Sequence, residues 1–432
     1  MKFGHVSYLN RVGLVAFFSL SLVLMSGIAS ATTAIIPSDD ELIIGSRAIV
    51  EGRVLGISTQ YDEVGGLVFT YITLQINEVF KGTIDSERIV IKQLGGIAGE
   101  HGTMLYGTPE FAMNERAVLF LDTSRDGSLR VHHWFLGKFD ISEIGNTGIV
   151  NVNRSSAGEN VSILGRSTAG NVTDRLRLDE FEDMIREGVI RNRRSSQLME
   201  RRYYSRVPLL AFPADYIRVA EREVIAVPSF TFLTPASPAR WFEPDTGKTV
   251  SFVINTSVGA AGPLPANDSP AQILADALSA MSALSSVSGS SLRLIGSSST
   301  TGGCGIQTGD GNAISFNNCD GFFSPGGGCS GILAVGGVPS YTLSNPVVIN
   351  GTSFYKTVEG DVTFNPYASC YFTDRCRVQE VMTHELGHAI GLGHSADPTA
   401  TMSPAAHFDG RCASLAADDI AGIRALYPAI GN

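Results

Sequence analysis

Apolar positions in the first third of the chain recur in short runs of β-branched and aromatic residues. The clearest runs are 48–54 and 68–76, and 88–92, 117–121 and 129–135 continue the series. Turn residues such as Asp126-Gly127 separate them. Runs of this length and composition predict strands, and their succession predicts an all-β unit over 32–145, a small barrel or sandwich. His132 and His133 fall inside the last run. Neighbours on a strand face opposite sides, so the pair reads as two ordinary strand histidines rather than joint metal ligands.

The pattern changes after 145. Leu178, Phe181, Ile185 and Val189 share one side of a helical period over 178–190. Arg191, Arg193, Arg194, Arg201, Arg202 and Arg206 follow, then Pro208, Pro213, Pro228, Pro235 and Pro238. Residues 146–240 therefore read as a connector with one helix and a basic, Pro-rich linker. Cations at a helix end suit its dipole, which is the plain reading of the basic run. The functional reading is a processing site, because exposed linkers are readily nicked.

From Trp241 onward the pattern is mixed. Residues 249–255 predict a strand. Ser269 predicts an N-cap, with Pro270 in the first turn of a helix that runs to about 284. Short strands are expected at 291–296, 313–316, 331–335 and 361–365, and helices at about 375–392 and 413–426. The chain thus divides into 1–31, 32–145, 146–240 and 241–432. The fold class is multidomain, an all-β N-terminal domain followed by an α+β domain.

Composition adds constraints. A net charge of -10 disfavours a phosphate backbone as partner, so nucleic acid is not expected. Lys2 and Arg11 flank the start of an uncharged apolar run over 12–25, and Ala29-Ser30-Ala31 offers small residues after it. This is the layout of a secretory signal peptide cut after Ala31. A retained anchor is the rival reading, and the run is short for a spanning helix. Export implies no membrane association once the signal is removed. The cysteines agree with export. Cys304, Cys319, Cys329, Cys370, Cys376 and Cys412 form an even set without a Cys-x-x-Cys pair, so disulfides are expected. Six cysteines allow 15 pairings. Among them the short-range pairs Cys319–Cys329 and Cys370–Cys376 are preferred.

The strongest chemical signal is His384-Glu385-Leu386-Gly387-His388, continued through Gly391 to His394. On a helix, residues i and i+4 share a face, so His384 and His388 aim at one point. Gly391 can leave helical geometry with positive φ and bring His394 back as a third ligand. Three nitrogen ligands leave one position open, as in a catalytic zinc site. Glu385 sits beside the metal rather than on it, where it can act as general base and pass the proton to a leaving amine. His407 lies near this motif in sequence and reads as a rim histidine, because three ligands and a base already complete the site.

This motif, followed by Thr401-Met402-Ser403-Pro404, resembles the metzincin signature with its Met turn. Ser395 after the third histidine resembles the matrixin branch, as do 415–427 as a closing helix and 360–365 as the strand before the active helix. Gly331-Ile332-Leu333-Ala334 resembles the matrixin edge strand whose backbone pairs with an extended peptide. The resemblance covers about 241–428. It implies a twisted five-stranded sheet, three helices, one catalytic Zn²⁺, and protein or peptide substrates. It makes Met402 the floor under the metal and assigns substrate contacts to Leu333, Ala334 and Pro404. It allows Ca²⁺ as a further cofactor but places no site for it. Residues 41–145 also resemble a β domain that precedes some bacterial matrixin-like proteases. The sequence departs from the matrixin pattern in having no cysteine before Cys304 to act as a latency switch, and Pro404-Ala405-Ala406 stands where a tyrosine is common.

The function expected is a secreted zinc-dependent endopeptidase. The rivals are a binding or adhesion module on a degenerate protease fold, and an adhesion protein dominated by its β domain. Oligomeric state is not legible. Two readings of 191–206 stand: a permanently attached accessory domain with no effect on rate, or a site whose cut frees the β domain and raises activity.

Overall fold

The computed structural model describes residues 32–429, apart from 146–147, 156–160, 168–169, 200–228, 258–268, 305, 307–308, 310, 320 and 324–329. The expected signal segment and the basic positions Arg201, Arg202 and Arg206 lie outside the described residues.

The N-terminal half begins with β1 (Thr32–Ile36) and α1 (Asp39–Gly45). Strands β2 (Ala48–Asp62), β3 (Leu67–Lys81) and β4 (Arg88–Leu94) follow, then β5 (Gly96–Ala98) and β6 (His101–Leu105). Next come β7 (Arg116–Thr123), β8 (Leu129–Val131), β9 (Lys138–Glu143), β10 (Val150–Arg154), β11 (Val161–Arg166), β12 (Arg175–Arg177) and α2 (Leu178–Met199). Strand β8 pairs with both β4 and β7, so β7-β2-β3-β4-β8 closes into a barrel. The interior is apolar, with Val50, Ile72, Leu74, Ile91 and Leu119 fully buried. Closure removes the free edges that such strands would otherwise present.

Three features differ from the sequence expectation. The β structure continues past 145, with β10 and β12 extending the same sheet beyond β9. β10 alternates only two valines with Asn and β12 holds a single leucine, so neither forms an apolar run long enough to stand out. α2 runs to Met199, so Arg191–Arg194 lie within a helix, and Arg191 pairs with Asp40 at 2.5 Å. Lastly, β8 stops at Val131. His132 and His133 lie in the turn after it, their rings 4.2 Å apart, not on opposite strand faces.

The C-terminal half holds β13 (Phe230–Phe232), β14 (Ala239–Arg240), β15 (Val250–Asn255), α3 (Pro270–Ser285), β16 (Leu294–Ser299) and β17 (Ala313–Ser315). It continues with β18 (Gly331–Ile332), β19 (Ala334–Ile349), β20 (Thr352–Phe364), α4 (Arg375–Ala389), β21 (Leu392–Ser395) and α5 (Ala417–Leu426). Ser269 caps α3 in a reciprocal pair with Gln272. Ile273, Ala277, Ala280, Met281 and Leu284 form the buried face of α3 and pack with α4 against the sheet. The sheet order is β16-β15-β17-β20-β19-β6-β5. The pairings are parallel from β16 to β20 and antiparallel beyond. The C-terminal half therefore supplies five consecutive strands and the N-terminal half adds β6 and β5. The β19–β20 hairpin is far longer than 331–335 and 361–365 suggest. Overall the molecule is a mixed α+β protein. Among the described residues no helix is long and apolar enough to cross a membrane.

The disulfide pairing corrects the sequence preference. Cys319 joins Cys304 rather than Cys329, and Cys376 joins Cys412 rather than Cys370. Proximity in the fold decides pairing, and the 36-residue separation of Cys376 and Cys412 is bridged because the segment after the Met turn folds back along α4.

Candidate metal centre

α4 carries the first two histidines. Asp374 caps it by accepting the Arg377 N–H at 3.1 Å. The helix ends at Ala389, and Gly391 takes φ +102°. A Cβ there would also meet the Ala239 carbonyl at 2.3 Å. Strand β21 then returns His394, held by pairing with β13 and by a Thr231 Oγ1 hydrogen bond to the His394 carbonyl at 2.7 Å. Strain and clash coincide at Gly391. Gly391→Ala is expected to lower stability by at least about 2 kcal/mol, read as a shift of the urea midpoint.

The three imidazoles converge. Their Nε2 atoms lie 3.0 Å (His384–His388), 3.2 Å (His388–His394) and 2.8 Å (His384–His394) apart. His384 Nδ1 donates to the Thr401 carbonyl at 2.7 Å and His388 Nδ1 to the Leu392 carbonyl at 2.8 Å. A carbonyl only accepts, so both protons sit on Nδ1 and both Nε2 lone pairs point inward. Converging lone pairs repel unless a cation lies between them. Nitrogens about 2.0–2.1 Å from a tetrahedral zinc stand about 3.3 Å from one another, so this triangle fits the ion with slight expansion. Burial holds the His384 imidazolium pKa down at about 4 and pushes that of His394 well below its usual range. Both therefore stay neutral, as ligands must. His394 Nδ1 has no hydrogen-bond partner.

Glu385 is fully buried. Burial pushes its carboxyl up to about 8, and the nearby Gly336 N–H offsets this only in part. Neither carboxylate oxygen has a hydrogen bond of ordinary geometry. A bound divalent cation would act in the opposite direction and favour the carboxylate.

Met402, expected as the floor under the metal, is 2% exposed and packs on α4 at Gly387, next to His388. Gly387 makes room for it, since a Cβ there would meet Met402 Sδ at 2.3 Å. Two residues that sequence reasoning quoted only as part of a closing helix hold this floor. Asp419 accepts the N–H groups of Thr401, Met402 and Ala416 at 2.7–2.8 Å. Asp418 accepts the Ser395 hydroxyl at 2.5 Å and the Ser229 N–H at 2.7 Å. An acidic first turn on the helix after a Met turn was the available signal. Asp419→Ala strands three N–H groups, two of them on buried residues. It is expected to cost about 3 kcal/mol, checked by chemical denaturation.

His407 is no ligand. It is half-buried and tied to Glu380 and to the Pro398 carbonyl, pinning the loop after the Met turn to α4. Leu333 is buried, and its carbonyl accepts the Asn365 N–H at 2.9 Å. Ala334 is buried at the start of β19, and Pro404 is half-buried. Among the described residues one other acidic group could gather round a cation, Glu51, Glu78 and Glu182, but Arg116 and Arg186 already neutralise it.

A helix-borne histidine pair, a returning third histidine, a buried glutamate beside the first and a buried methionine together resemble the catalytic domain of matrixin-type metalloproteases. Residues 314–428 match the matrixin family model. Over 73 residues the chain is 44% identical to metalloendoproteinase 1 of Glycine max, covering 17% of this chain and 22% of that protein. It is 52% identical to matrilysin of Homo sapiens over 46 residues, 10% of this chain and 17% of that protein. It is 54% identical to macrophage metalloelastase of Oryctolagus cuniculus over 48 residues, 11% of this chain and 10% of that protein. The chain therefore spans less than a quarter of the length of these relatives.

Proposed function

We propose that the protein is an exported zinc-dependent endopeptidase that hydrolyses internal bonds of extended protein or peptide substrates. The observation that carries this reading is the Nε2 triangle of His384, His388 and His394, with Glu385 buried beside it. When bound, zinc supplies Lewis acidity for the scissile carbonyl and for water. Glu385 takes the proton of the attacking water and delivers it to the leaving amine. The carbonyls of Thr401 and Leu392 keep the first two rings oriented. Met402 gives the site an apolar floor. The backbone of Leu333 and Ala334 and the ring of Pro404 are the proposed substrate contacts, and main-chain pairing along the β18–β19 edge would supply most of the affinity. The signal-like layout of 1–31 and the disulfides support export. Nothing in the residues assigns a calcium site.

The test is metal removal. Chelation is expected to abolish hydrolysis of an unstructured peptide, and stoichiometric zinc to restore it. Full hydrolysis by the metal-free chain would refute the proposal.

A further inference from the structure

The proposed activity needs an open strand edge and an accessible metal centre, and the N-terminal half covers both. β19 is bonded to β20 on its inner side, so a peptide must pair on its outer side. β6 already runs antiparallel there. Leu105 stands opposite Gly337, Met104 opposite Val338, Gly102 opposite Tyr341 and His101 opposite Thr342. β1 pairs with β18 in the same way, Ala34 opposite Ile332 and Ile35 opposite Gly331.

The fit of β6 is close. Gly102 lies against the Tyr341 ring, where a Cβ would come within 2.2 Å of Cζ. Thr103 is buried, and its Oγ1 donates to the Pro339 carbonyl and accepts the Val68 N–H at 2.8 Å. Tyr106, the residue after β6, turns onto the metal centre. Its ring centroid lies 5.6 Å from that of His388 and 6.3 Å from that of His394, and its hydroxyl donates to the Leu233 carbonyl at 2.5 Å. His384 is 5% exposed, and His388, His394 and Glu385 are 1% or less. A peptide bond cannot be presented to a centre so enclosed. The β5–β6 hairpin is flanked by Gly95 (φ +115°) and Gly107 (φ +83°). Such positions can absorb the backbone rotation needed for the hairpin to move as a unit.

We propose that β6 and Tyr106 form an internal inhibitory strand, which keeps the chain latent by occupying the substrate edge of β19 and capping the metal centre. The proposal rests on the endopeptidase reading above. No cysteine precedes Cys304, so this latch works by backbone pairing and ring packing rather than by a thiolate on the metal.

The experiment compares the zinc-loaded full chain with its Gly102→Leu and Tyr106→Ala variants. One readout is binding of a tripeptide hydroxamate, which needs access to the metal but no turnover. The other is hydrolysis of an unstructured fluorogenic peptide. Apparent affinity scales with the fraction of molecules that are open. Both variants are therefore expected to bind the hydroxamate at least about tenfold more tightly and to hydrolyse at least about tenfold faster. Equal affinity and equal rate in the wild type and a folded Tyr106→Ala variant would overturn the latch. Tyr106→Ala leaves every β6 pairing partner in place, so it decides the matter if Gly102→Leu fails to fold. Hydrogen exchange gives a check on the wild type itself. Saturating hydroxamate should deprotect the amides of 101–105, and binding with those amides still protected would also overturn the latch. Tighter hydroxamate binding without hydrolysis in any form upholds the latch and refutes the endopeptidase reading.

Discussion

Glu385→Ala is expected to lower peptide hydrolysis by at least about a hundredfold while zinc remains bound at one ion per chain. The two effects separate because the roles do. The triangle of Nε2 atoms is built by His384, His388 and His394 alone. Their orientation depends on the carbonyls of Thr401 and Leu392 and on the β13–β21 pairing, none of which involves the Glu385 side chain. The carboxylate is buried without a full hydrogen bond, so no structural partner is stranded when it goes. A buried acid that the fold does not use is best explained by the reaction. The readouts are initial rate per zinc and metal analysis by mass spectrometry. Comparable turnover in the variant would mean that another group is the base.

Loss of any one histidine should act on the metal first. His394→Ala is the most informative of the three, because its side chain comes from β21 rather than from α4. With two nitrogens left, zinc retained through dialysis is expected to fall below about a tenth of the wild-type content, since catalytic sites of this kind hold the ion with three protein ligands. His384→Ala and His388→Ala should lose zinc similarly. Full stoichiometric zinc in His394→Ala would sink the three-ligand arrangement.

The convergence of the three histidines was legible because they are compressed into 384–394 and the helical period fixes where two of the side chains point. The glycine at 391 announced the turn, and the structure gives it positive φ. α3 was legible for a similar local reason, its Ser269 cap and Pro270 start. What failed was non-local or masked by polarity. Strands β10 and β12 are short and hold only two valines and one leucine among Asn and Arg, too little apolar pattern to mark them as sheet. Disulfide pairing follows spatial proximity, and sequence spacing misplaced it for Cys319 and Cys376. The role of Asp419 was passed over because a carboxylate in a first helical turn is already accounted for by the dipole. Tyr106 gave no sign at all. It follows β6, which lies outside every run read as a strand, and only tertiary pairing places it against His388. The edge of β19 was expected to be open, and pairing with β6 closes it.

Cleavage-site mapping tests the central claim most directly. An unstructured peptide library is incubated to end point with the zinc-loaded Tyr106→Ala chain, and the new termini are identified by mass spectrometry. The same reaction is run with Tyr106→Ala combined with Glu385→Ala. The account predicts cuts at internal peptide bonds in the first reaction and near-background termini in the second. Identical cleavage in both, or none from a zinc-loaded chain that binds the hydroxamate, would contradict it.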